Sequence, residues 1–251
     1  MSKHLLAGRQ EEEALWFRRR GFMQAAAAWV SMGGWMGAVA QQRTNVVVTS
    51  GDILVNGAAM ARDQAIRPGD RVETGPGSGA TFVVGNAAFQ VRANSRVAVE
   101  GPAGSSTVST LRMATGAVAS VFGKGNSRQI VTPTLTAGIR GTGVYTEVFA
   151  ERDNRSYFCN CYGVVDVASR GEAVVSESVS HQAFWGEPQA RNGRLLTPAP
   201  AINHTDEELE ALAMLIEQRT AWQIAGRKGS KDGMGYLEPP AGGATHPAAP
   251  R

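Results

Sequence analysis

A chain of 251 residues with 30 glycines, 43% hydrophobic and 19% charged residues can bury a core of ordinary size, which excludes a largely disordered polymer. Lys and Arg number 25 against 22 Asp and Glu, but Lys3, Arg9, Arg18, Arg19 and Arg20 and Glu11, Glu12 and Glu13 fall in the first 40 positions, so the remaining 211 residues carry 20 against 19. No basic stripe of the kind that neutralises phosphates is present, and nucleic acid is excluded as a partner.

Residues 1–40 read as an export signal. Arg18-Arg19-Arg20-Gly21-Phe22-Met23-Gln24 is followed by Ala25–Ala28, Trp29, Val30 and a stretch ending in Ala38-Val39-Ala40. That is a positive region, an apolar region and a small-x-small end. Arg19 to Gln24 resembles the twin-arginine consensus. Residues 22–40 hold no Leu or Ile and include Gln24 and Ser31, a composition better suited to cleavage after Ala40 than to a retained span. The mature chain is expected in the periplasm, with membrane contact through this segment only; an uncleaved signal would anchor it to the inner membrane.

Residues 41–185 alternate short β-branched or aromatic runs with turns. The predicted strands are Val46–Thr49, Ile53–Val55, Thr81–Val84, Ala88–Arg92, Val97–Glu100, Val118–Phe122, Gln129–Val131 and Val144–Phe149. Asn56-Gly57, Arg67-Pro68-Gly69-Asp70, Gly75–Gly79, Gly85-Asn86 and Gly123–Asn126 supply the turns. No helical period persists and no room exists for crossover helices, so the fold class is mainly β, a single sandwich or roll. Residues 186–204, with Pro188, Pro198 and Pro200, read as a linker. Residues 205–225 read as one C-terminal helix: Thr205-Asp206-Glu207-Glu208 is a capping box, and Leu209, Leu212, Ala213 and Ile216 form a stripe that docks on the β domain. Residues 226–251 are expected to be a disordered tail.

Residues 131–149, Val-Thr-Pro-Thr-Leu-Thr-Ala-Gly-Ile-Arg-Gly-Thr-Gly-Val-Tyr-Thr-Glu-Val-Phe, resemble the hallmark of the FecR domain. Gly51–Gly57, Ile66–Gly75, Ala80–Val84 and Gly163–Val167 follow that family's order, and the likeness covers about Val46–Ser169. It implies a periplasmic β module that binds an envelope protein or other periplasmic ligand in a sensing or signalling role, without enzymatic activity. The best-known members also carry an N-terminal anti-sigma domain and a membrane helix. The 17 residues ahead of Arg18 leave no room for these, so the sigma-regulator role is not expected to transfer.

Motifs for catalysis are lacking. Gly77-Ser78-Gly79 has no nucleophile-elbow spacing, and Gly123-Lys124-Gly125 is no phosphate loop. Arg140, at a tight bend, could read a partner's carboxylate or bridge an internal acid. The unusual feature is Tyr157-Phe158-Cys159-Asn160-Cys161-Tyr162-Gly163: in a strand both sulfurs face one side. With His181 and His204 they would suit a soft metal such as zinc, and a twin-arginine route, which carries folded proteins, agrees with a metal loaded inside the cell. FecR-like sequences of this general type resemble this chain in a Cys-x-Cys-Tyr-Gly run and an Asn-His-Thr-Asp run. Two alternatives to a sensing module thus stand: a metal-binding or thiol-redox protein centred on these four residues, and a passive envelope scaffold in which Trp185 lines a polysaccharide groove. The cysteines could equally be core fillers or a local disulfide, and His204 a staple against Leu209. The register around His181 is not fixed by the sequence.

Overall fold

The computed structural model describes residues 44–125 and 127–232; the export signal read in residues 1–40 and residues 233–251 of the expected tail lie outside them, whereas Lys228 and Lys231, at the start of that tail, are paired with Asp206. Among the described residues fifteen strands run in order: β1 (Val46–Ser50), β2 (Ile53–Val55), β3 (Ala58–Ala59), β4 (Arg71–Thr74), β5 (Gly79–Val84), β6 (Ala87–Val91), β7 (Arg96–Glu100), β8 (Thr110–Phe122), β9 (Arg128–Val131), β10 (Thr136–Ile139), β11 (Gly143–Phe149), β12 (Arg155–Ser169), β13 (Glu172–Ser178), β14 (Gln182–Arg191) and β15 (Arg194–Ala199). Two helices follow, α1 (Asp206–Leu215) and α2 (Ala221–Ala225). The fold is mainly β with a short helical end, as the recurrence of strands implied.

The strands form two sheets that share their longest members. One runs β1-β5-β6-β8-β11-β12-β14-β15, the other β3-β2-β4-β7-β8-β9-β10-β12-β13, and β8–β9 is the parallel pair. Strand β8 spans 13 residues and β12 spans 15, and each passes from one sheet to the other at a glycine. Gly116, with φ 82°, divides the part of β8 that pairs β7 from the part that pairs β11 and β6. Gly163, with φ 102°, divides the part of β12 that pairs β11 and β14 from the part that pairs β10 and β13. A Cβ on Gly116 would overlap Ser95, and one on Gly163 would lie 2.7 Å from Thr142 Cβ. Only glycine permits both the left-handed angle and the close approach at these corners.

Two apolar layers result. Val72, Phe82, Phe89, Leu111, Ile130 and Phe158 fill the space between the sheets. On the outer face of the first sheet, Ala88, Ala117 and Ala119 lie with Leu209, Leu212 and Leu215 in a second layer. Strands β6 and β11 are buried at every position because both faces are covered. Alanines on the sheet let α1 approach closely, and Leu209, Leu212 and Ala213 of its stripe are buried, while Ile216 is half-buried at the C-cap.

Residues 186–204 are not a linker. They hold the rest of β14 and all of β15, and Pro198 lies opposite Phe184 on a strand that pairs only with β14, where a missing amide costs little. The single helix expected through residue 225 is two. Ile216 and the left-handed Glu217 (φ 56°) end α1, and Thr220 with Gln223 forms a second capping box that starts α2. This break turns Trp222 back onto the sheet layer.

Candidate metal centre

The alternation of β12 carries Cys159 and Cys161 to the face that α1 covers, and both are fully buried. Gly143 pairs with Tyr162 and Val144 with Asn160, so Cys161 is the extra residue of a bulge. The two sulfurs are 4.0 Å apart and unbonded. His181 occupies the turn between β13 and β14, where its own amide donates to the Cys161 carbonyl at 2.9 Å. Its φ of 53° is uncommon for a side chain of this size and directs the ring inward. His204 directly precedes the N-cap Thr205, after the left-handed Asn203. One ligand atom from each of Cys159, Cys161, His181 and His204 lies within 4.8 Å of all the others, and all four residues are buried.

The outer contacts fix the tautomers. His204 Nδ1 is 2.6 Å from the Ile202 carbonyl, which can only accept, so Nδ1 carries the proton and Nε2 a lone pair. His181 Nε2 donates to Asp206 Oδ1 at 2.8 Å, which in the neutral ring leaves a lone pair on Nδ1. Those two lone pairs face each other at 2.9 Å, an arrangement that repels unless a proton or a cation lies between them. A carboxylate behind one imidazole and a carbonyl behind the other is the usual outer support of metal-binding histidines. Ring stacking completes it: His204 lies on Tyr145 with centroids 4.6 Å apart, and His181 on Trp222 at 5.5 Å.

Charge in the cluster is shared. Burial alone would push the Cys159 thiol up, but the hydrogen bond from Cys161 and the adjacent His204 and His181 hold it well below its ordinary value. Cys161 moves the other way, raised by burial and by its neighbour Cys159. Burial disfavours the His181 imidazolium, and the Asp206 and Cys159 contacts outweigh this and raise it. Asp206 is pushed up by burial and pulled further down by His181, Lys231 and Lys228, so it stays ionised. Only one of the two thiols ionises readily without a further positive charge.

A tetrahedral zinc ion with bonds of about 2.3 Å to sulfur and about 2.0–2.1 Å to nitrogen sets S···S at about 3.8 Å and N···N at about 3.4 Å. The observed values are 4.0 Å between sulfurs, 3.7 Å from Cys159 to His181 and 2.9 Å between the nitrogens. The cluster as a whole spreads to 4.8 Å, wider than those separations, so the ligands would draw inward to hold an ion.

Other sequence candidates fare differently. The Arg140 guanidinium contacts Asp166 at 2.6 Å across the β10–β12 ladder, an internal acid at an exposed bend. Trp185 is half-buried, with Arg155 3.9 Å over its ring and Phe149 and Tyr157 flanking it. Asp206, Trp222, Lys228 and Lys231 complete the centre without having been singled out for it. Asp206 is two residues from His204 in a helix's first turn, which was a usable signal; the others meet it only through the fold.

No protein-family model matches the chain, and no curated protein matches it. Among solved structures, two crystal structures of a candidate anti-sigma factor from Parabacteroides distasonis ATCC 8503 are similar, each with a TM-score of 0.43 and 11% identity, covering 51% of this chain. The chain spans 58% of the length of that protein.

Proposed function

We propose that this chain is an exported, non-enzymatic β module of FecR-like type whose Cys159, Cys161, His181 and His204 bind one zinc-like ion, and that it serves in the cell envelope as a sensing or signalling component. The observation that carries the metal reading is the convergence of His181 Nδ1 and His204 Nε2, 2.9 Å apart, with two buried thiols, since the neutral rings turn lone pairs toward one another there. A divalent ion removes that repulsion and balances two thiolates, so the centre buries no net charge, and Asp206 is balanced separately by Lys228 and Lys231. Two thiolates and two imidazoles favour zinc or another soft metal over hard cations. Four protein ligands leave a tetrahedral ion no open position, which is the pattern of a structural and not a catalytic site. The order of motifs from Val46 to Ser169 supports the envelope role, with a protein or other periplasmic ligand as partner.

Elemental analysis with a thiol count on purified protein tests this. We expect one ion per chain and two thiols that resist alkylation until a chelator is added, with a cobalt-substituted form showing the absorption of a tetrahedral thiolate site. Two reactive thiols without metal would identify core fillers, and absence of both metal and thiols a disulfide; either result removes the reading.

A further inference from the structure

The ligands come from three distant stretches, and the described residues after His204 are tied to the same point. Asp206, the first residue of α1, holds His181 at 2.8 Å, and Lys228 and Lys231 close on Asp206 at 2.9 and 3.3 Å. Trp222 of α2 lies on the His181 ring, and its indole N–H donates to Glu210 of α1 at 2.6 Å. The centre is therefore the place where the sheet, both helices and the segment behind them meet.

The layers on either side of the first sheet have different members, although the Arg92–Glu208 ion pair also ties α1 to the sheet. The core between the sheets contains no residue of α1 or α2 and neither thiol, whereas the outer layer contains Cys159, Cys161, Leu209, Leu212 and Trp222. Burial between the sheets survives if the outer layer opens. The seat of α1 is also imperfect. Gln90 shares the outer face of β6 with Ala88, and both polar atoms of its buried amide lack a partner, a cost that hydration on opening would relieve.

We infer that the metal centre is a clasp: with the ion bound, residues 202–232 are held on the sheet, and its removal releases this segment as a unit while the two-sheet core stays folded. The inference rests on the metal reading above and gives that site a regulatory role, because metal content is converted into exposure of an amphipathic helix.

Hydrogen exchange on the full chain, with zinc as the only added probe and metal content measured on every sample, provides the test. After chelation, amides of 206–215 and 221–225 should exchange at least about tenfold faster, and those of β4, β7 and β10 should be unchanged. Cys161→Ser, without chelator, should show the same pattern. Equal protection with and without zinc overturns the clasp and leaves metal binding intact. Loss of protection through both sheets also overturns it, because the ion would then hold the whole fold. A chain that takes up no zinc removes both readings together.

Discussion

Asp206 Oδ1 accepts the Nε2 proton of His181 at 2.8 Å, and through this contact the first residue of α1 sets which nitrogen of His181 points at the thiols. The same carboxylate receives Lys228 and Lys231 from beyond α2. One side chain thus begins a helix, orients a ligand and anchors the following segment.

Asp206→Asn should therefore weaken zinc binding without removing a ligand. The amide is a poorer acceptor than an ionised carboxylate and no longer makes His181 more basic, and losses at such supporting positions run to about 10–100-fold in affinity. Competition with a chromophoric chelator measures the change. A purely structural role would lower the stability of the zinc-free protein and leave the affinity as it was.

The corner glycines should be intolerant for reasons unrelated to the metal. Gly116→Ala and Gly163→Ala each combine a left-handed angle with overlap onto Ser95 or Thr142, and each should cost more than about 2 kcal/mol in urea denaturation. Gly171→Ala is the control. Its φ is 98° but nothing lies within 4 Å of an added Cβ, so only the backbone term of about 1–2 kcal/mol applies. Equal losses at all three positions would show that close approach at the corners is unimportant.

Much of this architecture was legible, and the gaps have physical causes. Ile53–Val55 is a strand with the expected limits, and the Thr205–Glu208 capping box forms with both of its hydrogen bonds. Val118–Phe122 was visible only as half of β8, because Gly116 breaks the alternation where the strand changes sheets. Gly186, Pro188 and Pro198 imitate a linker, yet they lie on strands near a sheet edge, where irregular pairing is tolerated. In the centre, a period of two was enough to place Cys159 and Cys161 together, and the capping pattern located His204. His181 could not be placed, since one residue of slip reverses its face; its amide bond to Cys161 and its left-handed turn decide the matter.

Arg92 and Glu208 make a buried ion pair at 2.6 Å, with side chains only 4% and 8% exposed, and Arg92 also donates to the Asn203 carbonyl next to His204. Arg92→Met would leave the Glu208 carboxylate buried beside an apolar side chain, at a cost of about 3–5 kcal/mol. Glu208 can still accept from the Thr205 amide after a change to Gln, so Arg92→Met with Glu208→Gln should recover much of that loss. A double variant no more stable than Arg92→Met alone would mean that the stranded charge is not the source of the destabilisation.

Acid sensitivity should trace in part to Glu187, away from the metal centre. Arg155 donates to both of its carboxylate oxygens at 2.7 and 2.6 Å, and Thr197 donates to one at 2.9 Å, so Glu187 links β12, β14 and β15. Burial pushes its carboxyl up, but these donors outweigh burial and hold it below the ordinary 4.5. The unfolded chain therefore takes up the proton first as pH falls, and the stabilisation, complete above 4.5, is lost as pH drops through the lower folded value. Glu187→Gln should destabilise the protein by roughly 1.5–3 kcal/mol at neutral pH. The gap to wild type should narrow at about pH 3, below the ordinary carboxylate value. Denaturant titrations of both proteins at the two pH values measure the gap, and because an ion at the proposed centre would be lost alike from both in acid, their difference isolates this carboxylate. A gap of the same size at both values would show that the ionisation of Glu187 contributes nothing to the acid dependence.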